Sequence, residues 1–187
     1  MGLVMALQIT QLRMTRFLGR FGRARKGATA VEFALIAAPF FFLLFAIVEI
    51  TMVFFTSTAL DHASMDVARK IRTGEFQSTG ASSADFVAQV CDSMSGLIAC
   101  NGNVSVDIRT FVDFGDVVVN NPIDANGNLN QGAFQFDPGN AGDIVLVRVF
   151  YSWQLSTPMI GTVFANLANN RRLIVSSLAF RNEPFGA

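Results

Sequence analysis

The sequence is poor in the residues that usually carry chemistry. In 187 residues there are one histidine, two cysteines, one tryptophan and one tyrosine, and charged side chains make up only 15%. With His62 as the sole histidine and no motif around it, no Ser-His-Asp arrangement or metal centre can be nominated. The chain therefore reads as a non-enzyme without metal or cofactor. Acidic residues are missing altogether before Glu32, whereas Arg13, Arg16, Arg20, Arg23, Arg25 and Lys26 all lie in that head. The remainder holds eight basic and 14 acidic residues, so a formal net charge of zero conceals a basic head and an acidic body. No internal repeat is visible.

What is abundant is apolar surface, at 51% of residues including 19 phenylalanines. It is concentrated from Ala28 to about Leu60, where Phe33–Val48 carries no charge and an apolar ITMVFF run follows Glu49. A helix of about 20 apolar residues crosses the hydrocarbon core of a bilayer, which places a single transmembrane segment at about 33–56. Basic residues stay on the cytoplasmic side, so the head is expected inside and the bulk outside. That topology accounts for the basic head without nucleic acid. The phenylalanines are lipid-facing or core rather than a stacking platform.

The helical pattern continues past the membrane. Leu60, Ala63, Val67 and Ile71 recur at three- and four-residue spacing, basic residues fill the last turn, and Gly74 is a stop signal. One helix is expected over about 29–73, on the order of 65 Å long, with a kink where Pro39 removes a backbone hydrogen bond. After a Gly/Ser-rich link, a short helix is expected over Ala84–Leu97, with Ser82 and Asp85 at capping-box spacing. Alternation at Val104, Val106 and Ile108 marks a strand, and a second is expected through Val117–Val119. Ile144–Leu155 is the strongest strand signal and should be central. Thr157 and Pro158 should open a helix over Met159–Leu167 that Asn169 and Asn170 end, before a last strand at Leu173–Phe180. The fold class is α+β: a long N-terminal helix, then a small domain (74–187) with three or four antiparallel strands and two short helices.

Cys91 and Cys100 fall in the outer part, where an oxidising compartment favours a disulfide; the alternative is two buried thiols. Asp124, Asn126, Asn128 and Asn130 alternate like calcium ligands, but Leu129 and Gln135 stand where a calcium loop needs glycine and an acid, so a polar Asn-Gly turn is expected. Glu49 reads as a marker of the outer membrane boundary.

The junction Arg25-Lys26-Gly27-Ala28-Thr29-Ala30-Val31-Glu32-Phe33 resembles the cleavage site of type IV prepilins. The longer run GATAVEFALIAAPFFFLLFAIVE is similar to the N-terminal signature of TadE-like proteins of the Flp/Tad pilus, and the closing FRNEP is also reminiscent of that group. The resemblance implies a minor pilin or pseudopilin whose leader, residues 1–27, is removed by prepilin peptidase between Gly27 and Ala28. It implies that Glu32 pairs with a neighbouring subunit's N-terminal amine and sets assembly register; the alternative is a solvated carboxylate near a helix N-terminus. The implied partners are that peptidase, other pilins or pseudopilins, the inner-membrane assembly platform and membrane lipid. Ala28 departs from the phenylalanine that opens better-known mature pilins. A rival reading is an ordinary anchored or secreted binding module, with Ser57-Thr58-Ala59 as small residues for signal peptidase. A membrane enzyme acting on envelope polymers has no residues to nominate.

Overall fold

Residues 28–48 mix six alanines and three leucines with aromatic and β-branched side chains, and they fold as the start of a 48-residue helix, α1 (Arg25–Arg72). The computed structural model describes residues 25–94, 96, 100, 102–157 and 159–186. Most of the basic head lies outside the described residues. Arg69, Lys70 and Arg72 occupy the last turn of α1, and Gly74 at φ 83° turns the chain in the left-handed region as the spacing suggested.

By contact density the chain forms two units, Met1–Phe45 and Ala46–Ala187. In the first, the described apolar side chains are exposed almost throughout, including Phe33, Leu35, Ile36 and Phe40. Phe41 stacks on Phe45 at 6.3 Å between ring centroids, a local pairing of residues one turn apart.

The second unit has the α+β layout expected. After α1 come α2 (Glu75–Thr79), α3 (Ser83–Ser93), β1 (Val104–Phe111), β2 (Ile144–Gln154), α4 (Gly161–Phe164) and β3 (Arg171–Arg181). The strands form one antiparallel sheet of order β1-β2-β3, with Ile144–Leu155 central as its composition demanded. The Ser82 hydroxyl accepts the Asp85 N–H while Asp85 accepts the Ser82 N–H, a full capping box that starts α3. The hydroxyl and the backbone N–H of Ser82 hold the Asp85 carboxyl below its ordinary range.

Leu60, Ala63, Val67 and Ile71 pack on the sheet face made by Val106, Ile108, Val145, Val147, Val149 and Ile174. The buried stripe of α1 begins earlier than the sequence indicated, at Glu49, Val53 and Thr56. Its start was hidden because every residue between Glu49 and Thr56 except Thr51 is apolar, which erases the period. Ser64 is fully buried in this stripe and its hydroxyl has no partner among the described residues. An unsatisfied buried hydroxyl costs about 1–3 kcal/mol, so Ser64→Ala should raise the unfolding free energy by about 1 kcal/mol. A thermal melt of the full chain in detergent checks this, and a lower midpoint would refute it.

Two expectations are corrected. Val117–Val119 forms no strand: it follows a 3-10 turn (Phe114–Asp116), and Val118 and Val119 are exposed. Three apolar residues without alternation did not distinguish a strand from a loop. The helix expected over Met159–Leu167 is only the four residues of α4, because Met159 takes φ 66° and Asn166 and Leu167 turn back to bond the Arg171 carbonyl. The Thr157 N–H is spent on Glu49 instead of opening a helix.

The far face of the sheet is covered as well. Residues 112–143 cross it, stacking Phe134 on Phe150 at 4.8 Å and running Gln135–Asp137 along the edge of β1 through the Ile108 backbone. Strand β2 is thus buried on both faces over its first eight residues. Within the crossing segment, Asp124 accepts the Asn126 and Asn128 N–H groups, closing the Asn-Gly turn.

Candidate functional site

Gly27 is the third residue of α1, and Ala28 and Glu32 follow on exposed positions of its first two turns. A Cβ at Gly27 would meet nothing within 4 Å. Its φ is not positive either, so neither packing nor backbone conformation requires glycine there. Glycine inside a helix costs about 1 kcal/mol relative to alanine, and this fold returns nothing for it. Glu32 makes no ion pair or hydrogen bond with another described residue. Pro39 lies inside α1, which continues through it.

Glu49, the only acid in 33–56, behaves quite differently. It is buried, and its two oxygens accept the backbone N–H of Ser156 at 2.6 Å and of Thr157 at 2.7 Å. The Trp153 indole approaches the same carboxylate, short of hydrogen-bond geometry. Charge-assisted bonds to two successive N–H groups fix the end of β2 to one level of α1. Glu49, read from the sequence as a boundary marker, acts as a clamp within the second unit.

A second buried charge centre was not anticipated. Asp107 accepts the Gln135 N–H at 2.9 Å and the Arg109 Nε at 3.0 Å, and lies 3.9 Å from the Arg148 guanidinium. Arg148 is buried, sits 4.8 Å over the Phe150 ring, and is pulled below the usual arginine range by that burial while Asp107 pulls it back. The two are register partners, Asp107 at a position of β1 that alternates with Val106 and Ile108, and Arg148 opposite it on β2.

Cys91 and Cys100 form a disulfide with Cα atoms 6.1 Å apart, and both pack against the main core. On the chain-entropy model, closing so short a loop stabilises by about 2.7 kcal/mol. Replacing both cysteines by serine should lower stability by about that amount, and reductant should do the same to the wild-type chain. Coincident melts with and without reductant would refute this. His62 is exposed on α1, and among the described residues no cluster of three or more His, Cys, Asp or Glu side chains is gathered to hold a metal.

The helix carrying Gly27, Glu32 and Glu49 is also where the chain is similar to a known family. Residues 27–69 match the family described as TadE-like protein. No curated protein and no solved structure gives a match to the chain. The TadE-like segment is α1 from its third residue almost to its end, so the match covers the helix and leaves the sheet untouched. Among the described residues, this TadE-like helix is the one element long and apolar enough to cross a membrane.

Proposed function

We propose that this is a minor pilin or pseudopilin of a Tad-type pilus system, cut by prepilin peptidase after Gly27 and acting in pilus assembly or attachment. The observation that carries the reading is that the TadE-like match begins at Gly27, a glycine for which the fold itself has no use. In the cleft of a protease the residue before the cut must be extended and unhindered, and glycine in the first turn of a helix unwinds with least resistance. Removing the basic head leaves a new amine at Ala28, one turn from Glu32.

A carboxylate at this depth costs about 2.5–3.5 kcal/mol on insertion scales and calls for a partner. Glu32 has none within its own described chain, which suits pairing with the amine of a neighbouring subunit. The protein would sit in the inner membrane with its N-terminus cytoplasmic and its sheet outside, among other pilins and the assembly platform. The rival cut after Ala59 falls in mid-helix and would strip Glu49, Val53 and Thr56 from the packed stripe of the outer unit.

N-terminal sequencing of membrane-extracted protein should begin at Ala28 in a host with the peptidase, and Gly27→Val should leave the precursor uncut. Glu32→Gln should be cut normally yet fail to co-isolate with other pilins. A wild-type chain that keeps its basic head in such a host sinks the proposal, and a soluble product starting at Leu60 favours the rival.

A further inference from the structure

The link between β2 and β3 combines features that belong to no ordinary surface loop. Met159 is 78% exposed and Val163 88% exposed, yet the loop they stand on is held by Glu49 against α1. Beyond Glu49, α1 continues apolar and exposed at Met52, Phe54 and Phe55. At 1.5 Å per residue, that zone extends about 9 Å past the level at which the loop is fastened. The loop therefore lies beside the membrane-facing stretch of the helix, not above it.

Charge agrees with this placement. From Ile144 to Asn182 there is no acidic residue, while Arg171 and Arg172 flank the loop, and Arg172 donates to the Phe164 carbonyl at 2.9 Å. Such a segment is attracted to anionic headgroups. Irregular backbone at membrane depth requires internal partners for its polar groups. Here the Leu155 N–H goes to the Asn170 carbonyl, those of Ser156 and Thr157 go to Glu49, and Pro158 has none. The N–H groups of Thr162, Val163, Phe164 and Ala165 all bond back to carbonyls of the loop.

We propose that the 156–164 loop is a lipid-docking surface: it rests in the leaflet on the side of the sheet, Met159 and Val163 entering the upper acyl region and Arg171 and Arg172 lying at phosphate level. The clamp on Glu49 sets the depth of the loop. The outer unit thereby meets the bilayer at two places, the helix and the loop. This rests on the reading of α1 as a membrane span.

The single tryptophan makes the test direct. Trp153→Phe is combined with Met159→Trp, and separately with Val163→Trp. Each full-length chain is placed one copy per nanodisc of phosphatidylcholine and phosphatidylglycerol. Each relocated indole should lose about half or more of its emission to nitroxide lipids labelled near the glycerol, less to lipids labelled near the methyl end, and little to aqueous iodide, as for a group seated in the interface. Iodide quenching with no response to either nitroxide, in discs that do contain the chain, overturns the loop placement alone. Failure of the chain to enter discs overturns the span reading and the proposal together. Shielding that arises only when several copies share a disc also overturns it, assigning the loop to a neighbouring subunit.

Discussion

Glu49→Ala should lower the unfolding free energy of the second unit by about 3 kcal/mol, because two charge-assisted bonds to backbone are lost and the N–H groups of Ser156 and Thr157 are left without acceptors. Glu49→Gln should recover only part of this. One amide oxygen can still accept, but the amide nitrogen meets the second N–H donor to donor, so a loss of about 1.5–2 kcal/mol is expected. The measurement is chemical unfolding of the full chain in detergent, followed by limited proteolysis around Ser156–Phe164. Both variants should be nicked in that loop before the sheet opens. An alanine variant as stable and as resistant as wild type would show that the clamp contributes nothing.

Asp107→Ala should be at least as damaging, at about 3–5 kcal/mol, since it leaves the Arg148 guanidinium buried without a counter-charge. It also frees the Gln135 N–H and so unzips the segment that covers the edge of β1. The Phe150 ring under Arg148 gives partial support but no neutralisation. Removing both charges should therefore be milder than removing the acid alone: Asp107→Ala with Arg148→Met is expected to regain most of the loss. Equal destabilisation of the single and double variants would mean that the Gln135 and Arg109 contacts, not the charge of Arg148, set the cost.

These two centres mark the limit of what the sequence discloses. The period of α1 at Leu60–Ile71, the capping box at Ser82 and the dominance of Ile144–Leu155 are local signals, and the fold follows them. That α1 is long and apolar enough to cross a membrane was equally legible, because length and hydropathy suffice. Glu49 stood out as a lone acid in an apolar run, but its partners are backbone groups 107 and 108 residues away, and a backbone N–H has no letter of its own in a sequence. Asp107 alternates with Val106 and Ile108 as a water-facing residue does, and Arg148 is a lone charge in the otherwise apolar run Ile144–Tyr151. Only the return of residues 112–143 across that face makes them buried, and a crossing of that kind leaves no period. Gly27 is the reverse case, in which the sequence pattern speaks and the fold around it is silent.

The C-terminal FRNEP segment acquires a physical role from where it ends. Asn182 donates to the Pro138 and Asn140 carbonyls, the Glu183 N–H bonds the last carbonyl turn of α1 at Arg72, and Phe185 lies over Gly74. Arg72 and Glu183 are joined across 111 residues by a 2.7 Å ion pair. A contact of that sequence separation forms late, after its long loop entropy has been met by other pairings. A chain made N-terminus first must hold the end of α1 unsealed until Asn182–Phe185 follow. Closure of the end of α1 thereby waits on a segment 111 residues downstream, and a truncation before Asn182 would leave the helix made and its closure missing.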